Sequence, residues 1–190
     1  MPASALLPEL AKLTYEDFCG FPADGKRHEL VDGEHFMSPA PNLKHQVVIG
    51  SLFVALTSYL RGNSVGRAFV APVDVVLSDF DVVEPDLVFV LRERFAILTE
   101  ANVQGAPDLV VEVLSESTRR HDLVTKRRLY GRFGVREYWV IDPVIDTVLI
   151  FTLEGSTLER RAELELEAGS VLTSALLPGL KLPLAAIFEG

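Results

Sequence analysis

The sequence predicts an α/β fold in which a sheet of Val- and Leu-rich strands is covered by helices on at least one face. Three observations carry that reading. Short apolar runs such as Leu87-Val88-Phe89-Val90 and Leu109-Val110-Val111 have the length and composition of strands. The stretch from about Asn42 to Leu60 instead repeats its apolar positions at 48, 49, 52, 53, 56, 59 and 60, the spacing of a helix. A second helical pattern, rich in Lys and Arg, lies between Leu114 and the apolar run Trp139-Val140-Ile141.

Taken in order, residues 1–13 read as a loosely held leader. Thr14 with Asp17 three positions later resembles a capping box for a short helix from Tyr15 to Cys19, ended by Gly20 and Pro22. Asp32-Gly33 between two short runs, within Arg27 to Met37, signals a hairpin. Pro39 and Pro41 break the chain before the long helix, which Gly62 closes. Strands are expected from Gly66 to Ala71, Val73 to Leu77 and Asp86 to Val90, with Asp79-Phe80-Asp81 as the turn between the second and third. An irregular piece from Glu93 to Gln104 leads to the strand at 109–114. After Ile141 comes a turn, Asp142 to Asp146, then alternating strands at Thr147 to Leu153 and Leu158 to Leu166. The tail, Val171 to Phe188, reads as short extended pieces packed on the core. With no repeat, low-complexity tract or dividing linker, residues 1–190 form one predicted domain.

The bulk numbers exclude some functions. Nothing at the start has the basic and apolar regions of a signal peptide, and the apolar run from Val47 to Leu56 is too short to span a bilayer. A single cysteine, Cys19, rules out an internal disulfide and fits a cytoplasmic protein. The histidines at 28, 35, 45 and 121 do not have zinc-site spacing. The formal net charge of −9 argues against nucleic acid, but its distribution argues the other way. Between Arg119 and Arg136 seven cations stand against one acid, Asp122, giving a +6 segment. Such a segment is a solvated helix face or a patch that holds a phosphate backbone.

Two residues break the apolar pattern. Glu112 interrupts Leu109-Val110-Val111-Glu112-Val113-Leu114, and an unpartnered buried carboxylate costs several kcal/mol. It therefore implies a metal, a cationic partner or a raised pKa. Asp86, directly after Pro85, is either a strand-start cap or a second carboxylate that converges with Glu112 if their strands are neighbours. A hard cation such as Mg²⁺ binds through one or two carboxylates plus waters and a substrate phosphate. On a helical wheel with Leu123 at zero, Lys126 falls at about 300°, between Phe133 at about 280° and Tyr130 at about 340°, while Arg128 and Arg132 point away. Lys126 is a snorkelling lysine or an ammonium aimed at the carboxylates, and periodicity leaves both open.

These residues resemble the PD-(D/E)XK nuclease superfamily and, more closely, the Uma-two family of endonucleases, formerly a domain of unknown function. The marker segments are His28-Glu29-Leu30-Val31-Asp32-Gly33-Glu34, Glu84-Pro85-Asp86-Leu87-Val88, Val111-Glu112-Val113-Leu114-Ser115 and Val135-Arg136-Glu137-Tyr138-Trp139-Val140-Ile141-Asp142-Pro143. The resemblance implies a restriction-endonuclease-like mixed β-sheet flanked by helices, with additional N-terminal and C-terminal β-strands. Asp86 and Glu112 would be metal ligands for Mg²⁺ or Mn²⁺, with the Val113 carbonyl. Leu114 stands where the superfamily expects lysine, and Lys126 would replace it from the next helix. Glu29 would be an additional catalytic acid, and His45 and Tyr130 would line the pocket. Asp108 also follows a proline, but it lies four residues, about 13 Å of strand, from Glu112, so Asp86 is preferred.

The implied function is metal-dependent DNA endonuclease, hydrolysing phosphodiester bonds, with Arg119, Arg120, Arg127 and Arg128 contacting phosphates. A non-catalytic nucleic-acid- or protein-binding module on the same fold is the alternative, favoured by the acidic body and by Leu114. A homodimer through the apolar tail is compatible with either, and no membrane association is expected.

Overall fold

The computed structural model describes residues 11–189, so most of the expected leader, up to residue 10, lies outside the described residues. Helix α1 (Tyr15–Cys19) opens on the capping box read from the sequence: the Thr14 amide donates to Asp17 Oδ2 and the Asp17 amide to Thr14 Oγ1. Strands β1 (Arg27–Val31) and β2 (Glu34–Ser38) form the expected hairpin. Asp32 and Gly33 carry it round with φ of 53° and 76°, the left-handed pair a two-residue turn requires. Helix α2 (Leu43–Gly62) starts where Asn42 accepts from the His45 amide, and its buried Val48, Ile49, Leu52 and Leu56 follow the predicted stripe. At twenty residues it is longer than the apolar run and is, by length and composition only, apolar enough to cross a membrane. Here its apolar stripe faces a sheet.

The middle of the chain gives β3 (Gly66–Val70), β4 (Val75–Ser78), β5 (Asp81–Val83), β6 (Leu87–Leu91), β7 (Val103–Gln104) and β8 (Leu109–Val113). β5 and β7 were not separately legible, because three and two residues are too few to show alternation. The irregular piece is a 3₁₀ turn, Arg92–Ile97, followed by β7. Beyond β8 a π turn, His121–Lys126, runs directly into α3 (Arg127–Phe133), where the wheel assumed uninterrupted α-helix. The chain closes with β9 (Glu137–Asp142), β10 (Thr147–Glu154), β11 (Thr157–Glu165), β12 (Val171–Leu172), β13 (Leu182–Pro183) and α4 (Ala185–Phe188).

The main sheet has the order β11-β10-β9-β8-β6-β3 and is mixed, since β8 and β9 run parallel while the other pairs are antiparallel. A five-stranded sheet, β2-β1-β5-β4-β7, lies beside it. The pleat divides the main sheet's apolar residues between two cores. Leu109, Val111 and Val113 of β8 pack with α2 and the tail, whereas Val110 and Leu114 join Leu129 and Tyr130 of α3 and Val31 and Val83 of the smaller sheet. Glu112 shares the parity of Val110 and Leu114, so it points toward the second core. The tail is interior: Leu172, Leu177, Leu184 and Ile187 are at most 1% exposed. Those side chains are committed to the core with α2, in keeping with a tail packed on the core.

Candidate active site

The antiparallel register of β6 and β8 pairs Leu87 with Val111, and therefore brings Asp86 and Glu112 to the same end of two neighbouring strands. Asp86 is tied on both oxygens. Its Oδ2 accepts the Val113 amide at 2.7 Å and lies 3.1 Å from His45 Nε2, and its Oδ1 accepts Arg27 Nη2 at 2.9 Å. Burial opposes its charge, but His45, Arg27 and the Val113 amide outweigh that and hold the carboxyl at about 2.

Glu112 behaves in the opposite way. Its Oε1 accepts Lys126 Nζ and the Tyr130 hydroxyl, each at 2.9 Å. Burial pushes it up to about 8; Lys126 opposes that, and the neighbouring carboxylates of Asp122, Asp86 and Glu29 reinforce it. Its other oxygen, Oε2, is engaged by no described residue, and Glu112 forms part of a cavity wall.

Lys126 is the hub. The inward placement open to two readings is resolved toward the carboxylates: Nζ is 2.8 Å from Glu29 Oε1, 2.9 Å from Glu112 Oε1 and 3.5 Å from Asp122 Oδ1. Burial alone would discharge the amine, but these acids win and raise it well above its ordinary value, so it remains an ammonium. β1 delivers Glu29, whose Oε1 also accepts the Glu84 amide at 2.9 Å. Two buried oxygens here have no hydrogen-bond partner among the described residues, Glu29 Oε2 and Asp122 Oδ1.

Beside these groups lies a cavity of about 400 Å³, walled by the Ser38–Asn42 segment and the Ser115–Thr118 loop, with Arg27, His45, Asp86, Glu112 and Asp122 on it. His45 is on the wall as expected. Tyr130 is not: it is fully buried behind Glu112 and orients that carboxylate rather than lining the pocket. Lys126 likewise stands behind the wall.

The four arginines expected to face phosphate do not line the cavity either. Arg119 donates to Asp142 at 2.5 Å, and Arg127 lies over the Phe151 ring, 5.2 Å from its centroid. Arg120 and Arg128 are exposed, Arg128 beside a separate depression against Val31 and Asp32. Part of the basic segment is neutralised by distant acids, since Arg132 pairs with Asp32 and Asp81 and Arg136 lies 3.6 Å from Asp108. Asp108 sits at the opposite end of β8, fully buried, accepting the Leu91 amide and Arg94. That is a structural role.

Sequence reasoning missed Arg27 and Asp122. Arg27 is two residues from Glu29 on β1 and so shares its face, a signal the hairpin pattern contains. Asp122 falls at roughly 260° on the wheel, inside the apolar arc, four residues before Lys126.

The donor set suits a hard divalent cation better than a soft one. Glu29, Asp86, Glu112 and Asp122 are buried acids facing two permanent cations, Arg27 and Lys126, a formal excess of two negative charges. No group of three or more His, Cys, Asp or Glu side chains among the described residues is arranged to hold an ion. Asp86 and Glu112 would thus supply two ligands, leaving the rest to water and substrate, the manner in which Mg²⁺ is commonly held.

The comparisons agree with this architecture. A crystal structure of "a putative nuclease belonging to DUF820" from Anabaena variabilis superposes with a TM-score of 0.78 and 19% identity, covering 93% of this chain and 98% of that one. At that identity the likeness speaks for the fold, which is the mixed α/β arrangement predicted. No curated protein matches the chain. Residues 14–185 match the family described as "Putative restriction endonuclease". Over that span, which includes every side chain of the cavity and of the buried cluster behind it, the chain belongs to the Uma2 family.

Proposed function

We propose that this protein is a divalent-metal-dependent endonuclease that hydrolyses phosphodiester bonds of DNA in the cytoplasm. The observation that carries the reading is the convergence of Asp86 and Glu112 on one cavity, with Lys126 bridging Glu112 to Glu29 behind them. Family membership and the nuclease name of the structural neighbour support a nucleic-acid substrate. The exposed lone Cys19 fits a reducing compartment.

Mg²⁺ or Mn²⁺ held by Asp86 and Glu112 would polarise the phosphoryl oxygen and acidify a bound water. The chain's own residues do the remainder. Asp86, ionised and fixed by three partners, gives a rigid negative anchor. Lys126 remains protonated, so it acts as a positive charge, orienting Glu112 and Glu29 and stabilising charge on the phosphorane, and not as the base. Asp122, on the cavity wall with its carboxyl pushed up by burial and its Oδ1 3.5 Å from Lys126, accepts a proton from the attacking water in this reading.

Plasmid cleavage with Mg²⁺, Mn²⁺ or EDTA tests this. Wild type should nick or linearise DNA only with metal, and Glu112→Gln and Lys126→Met should fall to background while keeping their circular-dichroism spectra. Metal-independent or absent cleavage by clean wild type sinks the reading. A non-catalytic binding module on the same fold is the second reading, favoured by the cations already seated on Asp86 and Glu112. Calorimetry separates the two, because that module should take up no Mn²⁺.

A further inference from the structure

Among the described residues, only one permanently charged cation lies on the cavity wall, Arg27. Its Nη2 donates to Asp86 Oδ1 at 2.9 Å and its Nε to Glu84 Oε1 at 3.0 Å. Two carboxylates on adjacent edges fix the guanidinium plane, so it is held in place before any ligand arrives. Nη1 donates to no described residue. The side chain is 18% exposed.

Arg27 also belongs to a second cavity, of about 350 Å³, reached past the same Pro39–Pro41 segment and bounded by Lys26, Gln46 and Glu84. Arg27 therefore stands at the junction of two adjoining cavities, one holding the carboxylate pair and the other carrying none of it.

We propose that Arg27 is a phosphate-contacting residue. It binds a backbone phosphate of the DNA strand through Nη1, with the nucleotide adjoining the scissile bond seated in the second cavity. The placement of the scissile bond rests on the nuclease reading; the anion site rests on Arg27 alone. A phosphate suits the place because a planar guanidinium matches its oxygens and because the surrounding acids exclude any anion not met by a fixed cation. The same geometry sets Arg27 against a metal ion, since both draw on the Asp86 carboxylate. An arriving phosphate shares the guanidinium's charge with Asp86 and so weakens that competition without moving Arg27, and substrate and metal should favour each other's binding.

The test uses calorimetry on the full chain with MnCl₂ alone, then with thymidine 3′,5′-bisphosphate at saturating Mn²⁺, for wild type, Arg27→Gln and Arg27→Lys. Arg27→Gln should bind Mn²⁺ about threefold more tightly and the bisphosphate about tenfold more weakly, with Arg27→Lys recovering only part of the latter because an ammonium has no planar group to hold it on Glu84 and Asp86 while it meets the phosphate. A residue that merely held Asp86 in place would weaken Mn²⁺ binding, and that result overturns the proposal. So does bisphosphate affinity within twofold of wild type in Arg27→Gln, or a wild type that binds none. Neither measurement reads cleavage. A wild type that binds the bisphosphate through Arg27 yet cuts no DNA sinks the nuclease reading alone, and DNA cleavage indifferent to Arg27→Gln sinks this one alone.

Discussion

Lys126 Nζ and Glu112 Oε1 stand 2.9 Å apart with both side chains at most 3% exposed, so neither group has water to fall back on. Removing one partner from such a pair differs from removing the other. Lys126→Met strands Glu29, Glu112 and Asp122 without their shared cation and should cost about 3–5 kcal/mol at neutral pH. Glu112→Gln leaves Lys126 two carboxylates and Tyr130 an acceptor, and should cost no more than about 1 kcal/mol. Urea denaturation of the two variants checks the asymmetry, and equal losses would refute it.

Glu112 also predicts a pH dependence. Its folded pKa, about 8, lies above its unfolded value, so the fold favours the protonated form. That contribution is fully present below the unfolded pKa and is lost as pH rises toward about 8. Metal-free protein should therefore lose melting temperature across that window, and Glu112→Gln should flatten the curve. Asp86, held at about 2, has the opposite sign: its contribution is present above the ordinary carboxylate pKa and is lost only as pH falls toward about 2. Binding Mg²⁺ requires ionised Glu112, so uptake near neutral pH should release a proton, read by calorimetry in buffers of different ionisation enthalpy.

Asp108 offers the control. Asp108→Asn weakens the acceptor for the Leu91 amide and Arg94 and should destabilise by about 1–3 kcal/mol. Because it lies at the far end of β8, Mn²⁺ affinity of the folded protein should not change. A loss of Mn²⁺ affinity would show that the Pro-Asp pair had been assigned to the wrong residue.

The arginines should separate by partner. Arg120 and Arg128 are exposed, and each alanine variant should lower the slope of DNA affinity against salt by about one phosphate contact. Arg119→Ala should leave that slope nearly unchanged and act through Asp142 instead. Anisotropy titrations at several salt concentrations make the comparison.

What could be read in advance depended on contrast. Glu112 was legible because it breaks an apolar run, and Lys126 because it falls inside an apolar arc. Arg27 was hidden by its surroundings: in a hairpin whose two strands also carry His28, Glu29 and Glu34, one more charged residue breaks no apolar pattern. The basic segment misled for a related reason. A charge run does not show its partners when they are Asp32 and Asp142, the former 100 residues from Arg132 in the chain. Strand order was legible only conditionally, because the Asp86–Glu112 meeting depends on a β6–β8 register that no local pattern specifies.

The π turn at His121–Lys126 has a consequence for how this site tolerates change in chain length. In a regular helix one residue more or less rotates everything beyond it by about 100°. The wide turn between Asp122 and Lys126 sets the rotation that turns the ammonium to Glu29 and Glu112 while Leu129 and Tyr130 stay in the core. Deleting Val124, which is exposed, should therefore misplace Lys126 as thoroughly as replacing it, although substituting Val124 should be harmless. In this segment the number of residues carries as much of the site as their identities do.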